Sequence, residues 1–200
     1  MPVAEAFAKG LEAKAPDITG WNSLEFPVPP TEAEKMVAAL GAGDPRYAGI
    51  EASYPDRETY LTHIVSDLFF KEPALALAAL HAANGQPTWV YRFSVLSPAV
   101  RTRFKGTPHA QERQYVFQTL KTSPWPTDAN DEVQAKTMSG YWVSFAKTGD
   151  PNGGGRPAWP RYDRAADRIL DFTNDGPEVI PTPGRKSLDA IAASYEAAAK

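Results

Sequence analysis

The 200-residue sequence contains no cysteine, which excludes disulfides, thiolate metal sites and cysteine nucleophiles. The compartment stays open, because cysteine-free chains suit reducing and oxidising surroundings alike. There is no block of charge of either sign: 21 basic and 24 acidic residues leave a net charge of −3, which argues against strong nucleic-acid binding. Long apolar runs are also missing. The longest, around Ala74 to Ala83, falls well short of the roughly 20 residues a membrane-spanning helix needs. Met1 to Leu11 lacks the basic start and apolar centre of a secretory signal, so no export address is expected within this chain.

Several chemical motifs are absent as well. The three histidines, His63, His81 and His109, include no i, i+4 pair of the kind that holds zinc on a helix, so neither a metal nor a cofactor is expected. No glycine-rich phosphate loop opens a helix; Gly153-Gly154-Gly155 follows one and reads as a flexible turn. No serine stands in a G-x-S-x-G context, so the strained elbow that exposes a hydrolase nucleophile is missing. Ser23 is the nearest loop serine, but it lacks the second glycine and the following helix. Arg101, Arg103, Lys105 and Arg113 form a locally basic stretch that reads as a solvated loop in an acidic whole.

What is present is a chain long enough to bury roughly 70% of its unfolded surface, punctuated by 14 glycines and 19 prolines. Thr31 to Leu40 reads as a short helix, with Thr31 and Glu34 at capping-box spacing and Gly41 as its stop. Asp56 to Phe70 places Tyr60, Leu61, Ile64, Val65 and Leu68 at helical spacing. Ala74 to Ala83, entered through Pro73, is apolar nearly all round and is expected to be buried. Thr88 to Val95 changes period, Trp89, Tyr91 and Phe93 alternating with Val90 and Arg92, and is the clearest strand. Asp131 to Thr148 returns to helix and stops at Gly149; Arg168 to Phe172 suits a short strand, and a last helix follows Ser187. The expected class is α/β, helix-rich, with few partners for its best strand. His63 and His81, inside helices, read as structural. His109 follows the loop Lys105-Gly106-Thr107-Pro108, from which a ring can swing into a cleft.

Several stretches, taken in order, resemble the C-terminal part of the type-B carboxylesterases, an α/β-hydrolase family. Tyr141-Trp142-Val143-Ser144-Phe145-Ala146-Lys147-Thr148-Gly149-Asp150-Pro151-Asn152, followed by Pro157-Ala158-Trp159-Pro160-Arg161-Tyr162, is similar to that family's "YW…FAKTGDPN…WPxY" stretch. Pro87 to Phe93 is similar to its "PVYxYxF" strand, Gly106 to Glu112 to its "GAxHGxE" segment, and Gly20-Trp21-Asn22-Ser23-Leu24-Glu25 to its "GxNxDEG". The resemblance runs from about Phe7 to Phe172. It implies that residues 1–200 are a single partial domain, the C-terminal portion of an α/β-hydrolase fold. It also implies that Glu25 is the acid and His109 the base of a catalytic triad acting on a small-molecule carboxylic ester.

Four residues depart from the pattern: Leu24 and Phe26 beside the acid, and Pro108 and Ala110 beside the histidine, where glycine or another small residue is usual. The serine and the oxyanion-hole glycines belong to the family's N-terminal half, which becomes the expected partner. The isolated chain is accordingly expected to be inactive. A second expectation, of a different class, is a free-standing non-catalytic remnant that acts as an interaction module, with Trp21, Trp89, Trp125, Trp142 and Trp159 as candidate contacts, although core aromatics are the commoner reading.

Overall fold

The computed structural model describes residues 1–39 and 49–198. Four strands form one mixed sheet: β1 (Asp17–Asn22), β2 (Thr88–Phe93), β3 (Ile169–Thr173) and β4 (Gly176–Ile180), in that spatial order. The first three run parallel, with Ile18 opposite Trp89 and Tyr91 opposite Leu170; β4 returns antiparallel to β3. The strand expected to find few partners is thus central. β4 is an addition to the expected elements, made by the Asn174-Asp175-Gly176 turn, in which Gly176 takes a left-handed φ of 114°.

Seven helices are defined among the described residues: α1 (Val3–Ala8), α2 (Pro30–Ala39), α3 (Arg57–Ser66), α4 (Glu72–Ala83), α5 (Glu112–Val116), α6 (Ala129–Thr148) and α7 (Arg185–Ala198). Asp56 caps α3 by accepting the Thr59 N–H at 2.7 Å. α6 starts earlier than expected, on a capping box between Asp128 and Asp131, and ends at Gly149 with φ 75° as anticipated. α2 also starts one residue early. Pro30 takes the first helical position, so Thr31 lies inside the first turn, and Glu34 instead accepts from Arg57 at 2.7 Å. The expected stop at Gly41 lies outside the described residues.

α3 and α4 are not separated by a break. A π-helical turn, Asp67–Lys71, joins them, with the Glu72 N–H bonded five residues back to the Asp67 carbonyl. Pro73 explains it: proline has no N–H, and its ring crowds the carbonyl four residues before, so one widened turn carries the helix past it.

The apolar residues of β2 divide as their alternation predicts. Trp89 and Phe93 face α6 and pack with Met138, Tyr141, Trp159 and Phe172. Val90 faces the other side, with Trp21, Ile169, Leu75 and Ala78 of α4 and Leu188 of α7. A third cluster joins Val37, Tyr60, Ile64, Leu68 and Ile191. α4 is less enclosed than its composition suggested: Glu72, Leu75, Ala78 and His81 are buried, while Leu77 and Leu80 are half-buried. This helix-rich α/β arrangement sends two loops from the carboxyl ends of the parallel strands β1 and β2, the end of an open α/β sheet where ligand sites form.

Candidate active site

β1 ends at Asn22, and the chain turns at once through Ser23 and Leu24 into Glu25. β2 ends at Phe93, and its outgoing loop comes back alongside. The two loops are sewn together by main-chain bonds: Leu24 N–H to the Thr107 carbonyl at 3.1 Å, and His109 N–H to the Glu25 carbonyl at 3.0 Å. Ser23 Oγ accepts from the Thr107 N–H at 2.7 Å, while Thr107 Oγ1 donates to the Val95 carbonyl at 2.8 Å. Ser23 is therefore a strut between loops rather than an exposed hydroxyl.

The loops approach so closely at Gly106 that a Cβ there would lie 2.7 Å from Leu24 Cβ and 3.2 Å from the Leu24 nitrogen. Only glycine fits without moving the acid loop. Ala110, directly after His109, adopts φ 64°, the left-handed region where glycine is usual in the resembled segment.

This framework brings Glu25 and His109 together across 84 residues of chain: Nδ1 of His109 lies 2.8 Å from Glu25 Oε2. The other carboxylate oxygen, Oε1, accepts the Asn22 N–H at 2.6 Å. Glu25 is 6% exposed. Burial pushes its carboxyl above the usual value, against the opposing pull of the Asn22 N–H and the imidazole. A carboxylate facing Nδ1 fixes the proton on that nitrogen and leaves the Nε2 lone pair on the far edge of the ring. That ring is 56% exposed.

Three further residues shape the site. Asn22 Nδ2 donates both to the Pro108 carbonyl at 2.7 Å and to Glu112 Oε2 at 2.6 Å, so one side chain spans the acid turn and the histidine loop. Phe70, carried on the π-turn, lies 4.9 Å from the His109 ring centroid, and Phe26 stacks on Phe70 at 5.3 Å. The sequence placed Asn22 and Glu112 inside resembled stretches without a role, and only the folded loops supply one. Elsewhere, Phe104 packs on Trp125 and Tyr60 belongs to the third core cluster.

The remaining histidines serve elsewhere. His81 is buried between the Glu12 carboxylate and the Ala15 carbonyl, tying the N-terminal segment to α4. Among the described residues no three potential ligands gather for a metal, and no helix is long and apolar enough to cross a membrane.

A helix-rich α/β sheet with a glutamate and a histidine on loops after adjacent parallel strands defines part of an α/β-hydrolase. Residues 45–189 match the carboxylesterase family, and the chain belongs to it. The matched span contains His109 and begins after Glu25. Among curated relatives, rat carboxylesterase 1D is 31% identical over 137 residues, which cover 66% of this chain and 23% of the relative. Bovine bile salt-activated lipase is 29% identical over 128 residues, 61% of this chain and 21% of its own length. The chain thus spans about a fifth to a quarter of these relatives.

Solved structures carry the same fold. The carboxylesterase EST55 of Geobacillus stearothermophilus superposes with a TM-score of 0.73 at 25% identity, covering 94% of this chain and 42% of that one. EstA of Aspergillus niger gives 0.77 at 17% identity, covering 96% and 42%.

Proposed function

We propose that this chain is the acid-and-histidine part of a serine carboxylic-ester hydrolase, a single partial domain whose partner is the N-terminal half of the same fold. The observation that carries the proposal is the 2.8 Å contact between a buried carboxylate and the Nδ1 edge of a half-exposed imidazole. In that arrangement His109 Nε2 takes the proton from a serine hydroxyl as it attacks the ester carbonyl, then returns it to the departing alcohol. Glu25 holds the tautomer and stabilises the imidazolium that forms in between. A second proton-transfer cycle, with water as the nucleophile, releases the carboxylic acid.

The sequence holds no G-x-S-x-G elbow. An acid–histidine pair without a nucleophile and oxyanion donors has no route to an acyl-enzyme, so the 200-residue chain alone is expected to be inactive on esters. Antibody against this segment, applied to source-cell extract treated with a fluorophosphonate, tests both statements. The expected band is labelled and runs well above twice 21.8 kDa. An unlabelled band at 21.8 kDa would overturn the proposal in favour of a free-standing interaction module. Stoichiometric labelling of the purified 200-residue chain would overturn its inactivity.

A further inference from the structure

A cavity of about 250 Å3 lies beneath the acid loop, on the α4 and α7 side of the sheet, and the proposed reaction makes no use of it. Trp21, Ser23 and Thr59 line it, and Pro55 and Pro183 supply further apolar wall. The polar groups that face it are mostly donors. Asp67 is the carboxylate in the lining: Oδ2 accepts from the Tyr54 hydroxyl at 2.7 Å, while Oδ1 meets the Lys71 ammonium at 2.6 Å as an ion pair without hydrogen-bond geometry.

Lys71 has three N–H donors and this one carboxylate beside it, and its side chain is 9% exposed. Arg92 reaches the cavity with one guanidinium nitrogen committed to Asp171 at 2.7 Å. His63 lines the same space, and its buried Nδ1 has no hydrogen-bond partner among the described residues. Burial first, then the charge of Lys71 with smaller contributions from Arg92 and Lys105, holds its imidazolium down to about 4 despite Asp67.

Buried donors in excess of acceptors call for a ligand made of acceptors. We propose that this cavity binds a small carboxylate, its oxygens meeting Lys71, Arg92 and His63 and its short apolar body lying against Trp21 and Pro183. Phosphate shares the acceptor chemistry, but its second charge would meet Asp67 and it has nothing to offer the apolar wall. Ser23, which bonds Thr107 and stands two residues from Glu25, joins the cavity to the acid loop.

The inference is independent of the proposed reaction and is tested by binding alone. Sodium butyrate, inorganic phosphate and uncharged butyramide are titrated into the 200-residue chain at constant ionic strength. The readouts are the His63 ring-proton resonance, assigned through its loss in His63→Gln, and the melting temperature. Butyrate is expected to shift the resonance saturably and, at ten times its Kd, to raise the melting temperature by about 3–6 °C. Lys71→Met abolishes the response but leaves Asp67 buried without its counter-charge. Thr59→Phe therefore serves as the second variant; it fills part of the cavity, keeps every ion pair, gives up the Thr59 hydroxyl's bond to the Asp56 carboxylate, and is expected to abolish binding while the chain stays folded. An equal response to butyramide, tighter binding of phosphate, no saturable shift, or full butyrate binding by Thr59→Phe would each overturn the proposal.

Discussion

The aromatic cluster around Trp159 and the corner that joins Glu25 to His109 are built in opposite ways. In the first, Trp159, Tyr141 and Phe172 are each at most 3% exposed and meet edge to face at 5.5 to 5.8 Å between ring centroids. The Trp159 N–H donates to the Val90 carbonyl at 3.1 Å, and the Tyr141 hydroxyl donates to the Pro157 carbonyl at 2.7 Å. In the second, two loops are sewn by main-chain bonds around one buried carboxylate and one ring left largely in solvent. The stretch most distinctive in the sequence is thus a packing solution.

The largest expected effect breaks the aromatic side of this comparison. Trp159→Ala removes a ring that touches Tyr91, Tyr141, Trp142 and Phe172 and leaves the Val90 carbonyl without its donor. The expected loss is about 3–5 kcal/mol in urea unfolding. A loss under about 1 kcal/mol would show that the cluster is not the structural anchor described.

Next in size is Asn22→Ala, which removes the side-chain bridge between the acid turn and the histidine loop. The Pro108 carbonyl and the Glu112 carboxylate both lose their Asn22 donor. About 1–3 kcal/mol is expected, together with altered line width of the His109 ring protons as the loops loosen. A stability loss with an unchanged His109 resonance would separate Asn22 from the site and assign it to the core alone.

The two regions also differ in how much of them could be read beforehand. The cluster was legible because Met138, Tyr141, Trp142 and Phe145 recur at helical spacing and Gly149 follows as a stop. β2 was legible because its aromatics alternate. The Glu25–His109 contact has no period: it depends on Asp17–Asn22 and Thr88–Phe93 lying side by side, a pairing between segments about 70 residues apart. Only the resemblance pointed to it. The π-turn stayed hidden because Pro73 reads equally well as the first turn of a new helix, and β4 because Gly176 and Pro177 weaken any strand pattern despite the turn signal before them.

A smaller effect, of opposite sign, sharpens the comparison on the loop side. Ala110 carries φ 64° beside a half-exposed histidine, a strain the aromatic cluster does not show. Ala110→Gly relieves it and is expected to raise stability by about 0.5–1 kcal/mol in the same urea assay, with the His109 resonance unmoved. Destabilisation would mean that the backbone there is not left-handed.

The smallest expected change concerns the carboxylate itself. Burial raises the Glu25 carboxyl above the 4.5 of an exposed glutamate, so the folded state holds this proton longer than the unfolded state does. The stability it contributes is complete below pH 4.5 and is lost as pH rises through the folded value. Glu25→Gln keeps an oxygen for the Asn22 N–H and carries no charge, so it escapes that loss. At pH 7 the variant is expected to match the native chain or exceed it slightly, within about 0.5 kcal/mol, and its advantage shrinks toward pH 4. Melting curves across this range check the sign. A variant clearly less stable at pH 7 would show that the ionised pair holds the loops together, and the stability of this corner would then rest on the same group that the proposed chemistry uses.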